Sequence, residues 1–273
     1  LPVINERAVE YTIMTGLALQ CTVPEFSKFD RKNYPYPDLM KGYQISQYDM
    51  PLCVHGWLDI GEPGQEQRAG ITRVHLEEDT ATSKHLGDHG EDGYSLIDVN
   101  RAGCALMEIV GEPDLRAPEE ARRYLVKLRQ ILRYIGVSRA NMEEGNFRCD
   151  ANISLRPRGS SGLGPKVEVK NMNSFRAVYR ALESEIVRQT AALECGETIH
   201  QETRGWVEAE GRTASQRSKE FAHDYRYFPE PDLPPLHITR EQVETLRAKL
   251  PELPDARRAR FERQYGLSAY EAD

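Results

Sequence analysis

The 273-residue sequence predicts an α+β protein, an antiparallel sheet with helices packed on one side. Two observations carry that prediction: short segments that alternate apolar and polar residues with period two, and two long segments with apolar residues every three to four positions. The clearest alternation lies between Gly145 and Phe175. There Phe147, Cys149, Ala151, Ile153 and Leu155 interleave with Asn146, Arg148, Asp150, Asn152 and Ser154, the pattern of a strand with one buried face. Beyond a Gly-rich bend at 158–164, Val167 and Val169 alternate with Lys166, Glu168 and Lys170, which makes the second arm of a hairpin.

The remaining elements follow in order. Asn5 caps a helix reaching about Leu19, with Val9, Ile13 and Leu17 on its inner stripe. The segment from Ser27 to Asp38 reads as irregular, aromatic and basic. Short strands are expected around Gln44–Tyr48, Trp57–Ile60, Gly70–Leu76, Ser95–Asn100 and Ala105–Val110, and a loop from about Thr80 to Gly93. His85 and His89 in that loop have a metal-ligand spacing, but a Gly/Asp-rich setting points to solvent instead. A helix opens at Pro118 and stops at Gly136, with Ala121, Tyr124, Leu125, Leu128, Ile131, Leu132 and Ile135 as its core face. Another runs from Ser174 to about Glu194, with Phe175, Val178, Leu182, Ile186 and Leu193 inward and Gly196 as its stop.

Composition excludes several classes. With 36 Lys and Arg against 43 Asp and Glu, net charge −7, the chain has no general basic field to attract nucleic acid, so any RNA contact must be local and shaped. Five cysteines without C-x-x-C spacing read as reduced residues of a cytoplasmic or organelle-matrix protein. No signal peptide and no apolar run of membrane-spanning length is seen, and neither a P-loop nor a dinucleotide-binding glycine motif is present. The opening on Leu1 without a Met, and a close soon after a helical pattern, suggest a fragment.

The chemistry lies in the acids. The hairpin places Arg148, Asp150, Asn152, Glu168 and Lys170 on one surface, a set suited to metal and phosphate, although a solvated sheet face produces the same alternation. Glu108 sits in the otherwise apolar run Leu106 to Val110, where an unpaired carboxylate is costly. Glu77, Glu78 and Asp79 gather where a strand ends; they form either an exposed turn or a divalent-cation site. Together these acids suggest a carboxylate-lined cleft for Mg²⁺, which often arrives with the phosphates of ATP. Lys32, Arg148 and Lys170 are the natural phosphate partners.

Motifs in order along the whole chain resemble the B subunit of the tRNA-dependent amidotransferases. They are FDRKNYPYPDL with GYQISQYD, HLEED, NRAG with EIVGEPD, FRCDANISLR, VEVKNMNSF, QETRGW and HDYRYFPEPDLPPL. The resemblance implies a cradle fold akin to glutamine synthetase and the guanidino kinases, spanning 1–237. It also implies the start of a helical domain at 238–273, with helices over Arg240–Leu250 and Asp255–Gln264. The implied activity is ATP- and Mg²⁺-dependent phosphorylation of the side-chain carboxylate of Glu-tRNA(Gln) or Asp-tRNA(Asn). Ammonia from an amidase (A) subunit, in a complex with a small C subunit, then displaces the phosphate.

By matching positions, Glu78, Asp150 and Glu168 would hold metal, with Glu108 a further ligand; Lys32 and Arg148 would hold phosphate or the aminoacyl end, as would Lys170. The family's opening strand, with its Gly-Leu-Glu-x-His ligands, and its tRNA-binding tail domain are expected outside this sequence. Cys104-Ala105 stands after NRAG where Val-Pro is usual. Two other readings fit the acids: a non-catalytic scaffold that docks tRNA and partner subunits, and a free-standing small-molecule ligase or guanidino-type kinase. The QETRGW and HDYRYFPEPDL segments favour the amidotransferase family over the latter.

Overall fold

The computed structural model describes residues 2–61, 65–86, 94–218 and 224–272. Helix α1 (Glu6–Ala18) precedes strands β1 (Phe26–Ser27), β2 (Asp30–Asn33), β3 (Tyr43–Ser46), β4 (Cys53–Asp59) and β5 (Arg68–Glu78). Strands β6 (Thr82–Leu86), β7 (Tyr94–Asp98) and β8 (Ala105–Gly111) lead to helix α2 (Pro118–Tyr134). Next come β9 (Ala151–Ile153), β10 (Val167–Lys170), α3 (Phe175–Glu194), β11 (Glu202–Val207) and β12 (Arg212–Ser218). The described chain closes with β13 (Phe228–Pro229), β14 (Leu236–His237), α4 (Arg240–Lys249), α5 (Pro254–Tyr265) and α6 (Ala269–Ala272). The protein is thus α+β. It divides into two compact units, the first of Leu1–Asp59, Arg68–Pro113 and Asp224–Asp273, the second of Ile60–Gln67 and Asp114–His223.

In the first unit the Asn5 side chain accepts from the Ala8 N–H and starts α1, as its residue type predicts. Ile13 and Leu17 are buried, and the helix lies so close to β4 that a Cβ on Gly16 would fall 2.3 Å from Cys53 Sγ. Strands β4, β5 and β8 form an antiparallel sheet with β5 central; β13, β2 and β3 form a second one. Two sequence expectations are corrected here. The Ser27–Asp38 segment contains the end of β1 and all of β2, because Asp30–Asn33 pairs with β3 and with residues almost two hundred positions later, partners that no local pattern reveals. The Thr80–Gly93 loop is partly strand, Thr82–Leu86 pairing with Tyr94–Asp98; His89 and the His85 side chain lie outside the described residues.

The helices after Ile238 also belong to this unit. Thr239 and Gln242 close a capping box on α4, Leu246 is buried, and Lys249 lies 3.3 Å from Glu10 on α1.

The second unit is a four-stranded sheet, β12-β11-β10-β9, covered by α2 and α3. Ala121 and Leu125 of α2, Val178, Ala181 and Leu182 of α3, Val169 and Trp206 pack as its core, with Phe147, Cys149, Ala151 and Ile153 against them. The predicted hairpin is there, Glu168 opposite Asn152, but its paired first arm is only three residues long. One pairing departs from the antiparallel expectation: β10 and β11 run parallel, joined through α3. The inner stripe of α3 also differs. Leu193 is exposed, while Glu185 and Gln189 are fully buried, because Arg204, Thr213 and Arg188 supply the polar partners a buried carboxylate requires. No helix among the described residues is long and apolar enough to cross a membrane.

Candidate functional site

Each unit carries part of the predicted set. The first holds Lys32, Glu78 and Glu108; the second holds Arg148, Asp150, Glu168 and Lys170.

On β5 the side chains of His75 and Glu77 share a face, and the register sets Glu108 of β8 opposite His75. Ligand atoms of these three residues lie within 4.8 Å of one another, and among the described residues this is the one His/Cys/Asp/Glu group so arranged. His75 and Glu77 are buried, whereas Glu108 is exposed. Arg73 Nε donates to His75 Nδ1 at 3.3 Å, so the other ring nitrogen faces Glu77, 3.5 Å away. Ser46 Oγ donates to Glu77 at 2.9 Å. Burial pushes the Glu77 carboxyl upward, but His75, Lys32 and Ser46 outweigh it and hold the group below its ordinary value. An ionised, buried carboxylate with a second carboxylate open to solvent is a donor set that fits a divalent cation; the imidazole adds a borderline ligand.

Lys32 reaches the same neighbourhood from β2. Its Nζ lies 4.9 Å from the ring centre of Tyr225 and 5.7 Å from that of Tyr34. Glu78 does not join the group. Strand alternation turns it to the opposite face, where it accepts from the Ile45 N–H at 2.9 Å and pairs with Lys41. Asp79 is engaged by Arg101 at 2.7 Å. The signal for His75 and Glu77 was present in the sequence: Val74 and Leu76 are core residues, so positions 75 and 77 must point the other way.

In the second unit Lys170 Nζ lies 2.7 Å from Asp150 and 3.5 Å from Glu168, and Thr203 Oγ1 donates to Glu168 at 3.0 Å. Burial acts to lower the Lys170 pKa, but the two carboxylates outweigh it and raise the value, so this lysine stays cationic. Arg148 stands exposed two residues before Asp150. The hairpin thus brings Asp150, Glu168 and Lys170 together as a cluster in which one cation offsets one of two carboxylates, without a third acidic or histidine ligand among the described residues. Thiol chemistry finds no support at Cys21 or Cys149, whose pKa values burial pushes up to about 11 and about 12.

The chain matches the GatB/GatE catalytic domain over residues 1–244. It is 65% identical over 272 residues to the B subunit of the aspartyl/glutamyl-tRNA(Asn/Gln) amidotransferase of Dehalococcoides mccartyi, a match covering 100% of this chain and 55% of that relative. Proteins of the same name from Thermomicrobium roseum and Carboxydothermus hydrogenoformans are 61% and 58% identical over 272 residues, each match covering all of this chain and 56% of the relative. The chain spans about half the length of the curated relatives it matches. With most of its residues inside one domain and that level of identity, the chain belongs to the GatB/GatE catalytic-domain family.

Proposed function

We propose that this chain is the activating part of a tRNA-dependent amidotransferase, one that works with an amidase (A) subunit and a small C subunit. In this reading a side-chain carboxylate oxygen of Glu-tRNA(Gln) or Asp-tRNA(Asn) attacks the γ-phosphorus of ATP. The bond to the β–γ bridging oxygen breaks and ADP leaves. Ammonia then adds to the acyl phosphate carbonyl, loses a proton and expels phosphate, leaving the amide. A carboxylate needs this activation because its own leaving group would be oxide.

The observation that supports the reading best is the His75, Glu77 and Glu108 group with Lys32 beside it. These three residues would hold Mg²⁺, which when bound supplies charge neutralisation for phosphoryl transfer. Glu77 takes the place expected for Glu78, whose oxygen is already committed to Ile45 and Lys41. Lys32, with its Nζ 4.9 Å from the Tyr225 ring centre and close enough to Glu77 to help hold it ionised, binds and orients anionic oxygens. In the second unit Arg148 and Lys170 are the candidate contacts for phosphate or the aminoacyl end, and Asp150 and Glu168 the candidate ligands. Lys170 must release its carboxylates to act on phosphate. That pairing favours a second reading for the hairpin, a surface that docks tRNA or a partner protein without chemistry.

Hydroxylamine trapping separates the two. With ATP, Glu-tRNA(Gln) and no ammonia source, the full-length protein should yield the γ-hydroxamate of the aminoacyl group. Loss of hydroxamate in Asp150→Ala and Glu168→Ala assigns chemistry to the hairpin; normal yield in both variants assigns it to docking.

A further inference from the structure

Four tyrosines from distant parts of the sequence form one aromatic wall in the first unit. Tyr34 and Tyr225 meet edge to face at 5.6 Å, Tyr225 and Tyr227 at 6.1 Å, and Tyr48 lies flat on Tyr227 at 4.4 Å and 11°. The aromatic, basic segment before Asp38 and the HDYRYFPEPDL segment supply three of the four rings.

The wall is built by specific bonds. The Asn33 N–H donates to the Tyr225 carbonyl at 2.9 Å and its side chain to the Arg226 carbonyl at 2.8 Å. Arg31 grips the buried carboxylate of Glu230 through two bonds, 2.7 and 3.0 Å. Between Tyr225 and Tyr227, Arg226 is held at φ +44°, a conformation an L-residue adopts at a cost, and Asp224 accepts from its N–H at 3.0 Å.

A core would hide such rings, yet Tyr48 is 56% exposed, so the outer face of the flat stack is open to a ligand. Lys28 lies 2.5 Å from both Asp30 and Asp49 and offsets one of the two negative charges next to Tyr48. Lys32 stands on the Tyr225 side of the wall. An open aromatic face and a cation on one wall suit a flat, π-rich ring joined to an anion.

We propose that the outer face of Tyr48, backed by Tyr227, stacks the base of a nucleotide whose phosphate is held by Lys32. This rests on the phosphoryl-transfer reading, which supplies two sources of that chemistry, the triphosphate and the 3′ end of the aminoacylated RNA.

The test uses the full-length protein and two probes, 2-aminopurine riboside triphosphate and a short single-stranded RNA ending in 2-aminopurine. Stacking quenches either fluorophore. Wild type and Tyr48→Phe should bind with quenching, and Tyr48→Ala should lose roughly tenfold or more in affinity together with the quench. Quenching confined to one probe identifies the source, and both results support the site. Equal affinity and equal quenching of both probes in Tyr48→Ala, or no quenching by wild type, overturns it. Glu77→Gln in the hydroxamate assay keeps the two claims apart. Stacking that survives while hydroxamate formation is unaffected by Glu77→Gln would sink the assignment of the phosphoryl-transfer site and leave the platform standing; the reverse pattern would do the opposite.

Discussion

Replacing Glu77 by Gln should separate metal binding from folding. The side chain is buried, accepts from Ser46 at 2.9 Å and faces His75 at 3.5 Å. An amide of the same shape keeps an oxygen for Ser46, so a charge-assisted bond of about 1.5–3 kcal/mol becomes a neutral one of about 0.5–1.5 kcal/mol. Against that loss of roughly 1 kcal/mol stands the smaller cost of burying an amide than a carboxylate. The two nearly cancel, and the net stability change should stay within about 1 kcal/mol. Divalent-cation binding has no such compensation, because one of the three proposed ligands and its charge disappear. Affinity for Mn²⁺, used as a spectroscopic stand-in, should fall ~100-fold or more, beyond what removal of an outer-shell partner costs. Urea unfolding and Mn²⁺ titration on the same samples check both halves. Unchanged Mn²⁺ affinity would refute the assignment, and a stability loss of ~3 kcal/mol or more would show that Glu77 is a structural ion-pair residue instead.

Glu185→Ala in the second unit leaves Arg204, Arg188, Gln189 and Thr213 without their shared acceptor, and should cost about 3–5 kcal/mol in urea unfolding. Acid should destabilise the protein through the same type of group. Burial raises the pKa of Glu77, Glu185 and Glu230, but their partners outweigh it and depress all three below the ordinary 4.5. Their contribution is therefore complete above that value and lost as pH falls through the depressed ones, so the unfolding midpoint should be flat near neutrality and drop below about pH 4.5. Gly56→Ala would set a methyl group 2.5 Å from the Leu19 carbonyl oxygen, an atom that cannot swing away, and should cost about 1–3 kcal/mol with the denaturant slope unchanged.

Local chemistry made the helices legible. Asn5, Ser174 and Pro118 mark starts that the structure keeps, since capping and φ restriction act within one turn of the chain. Strand β2 was not legible, because Asp-Arg-Lys-Asn has no alternation and becomes a strand only through β3 and β13. The same distinction governs the site. Glu108 stood out as a carboxylate in an apolar run, and the structure places it in the acidic group. Glu78, expected as a ligand, lies on the other face of β5 from His75 and Glu108, a parity that Val74 and Leu76 already fixed. That Asp150 and Lys170 share one surface followed from the alternation of both hairpin arms, though not that they pair, whereas the buried Glu185 could not be foreseen, since its partners Arg204 and Thr213 come from the sheet.

The most direct test of the proposed function assembles the full-length protein with the amidase and C subunits proposed for it and follows phosphate release from γ-labelled ATP, with and without Glu-tRNA(Gln). Release that requires the charged tRNA in wild type, and falls at least ~100-fold in Glu77→Gln while the complex still assembles, is the predicted result. Release that ignores the tRNA, or persists undiminished in Glu77→Gln, would contradict it.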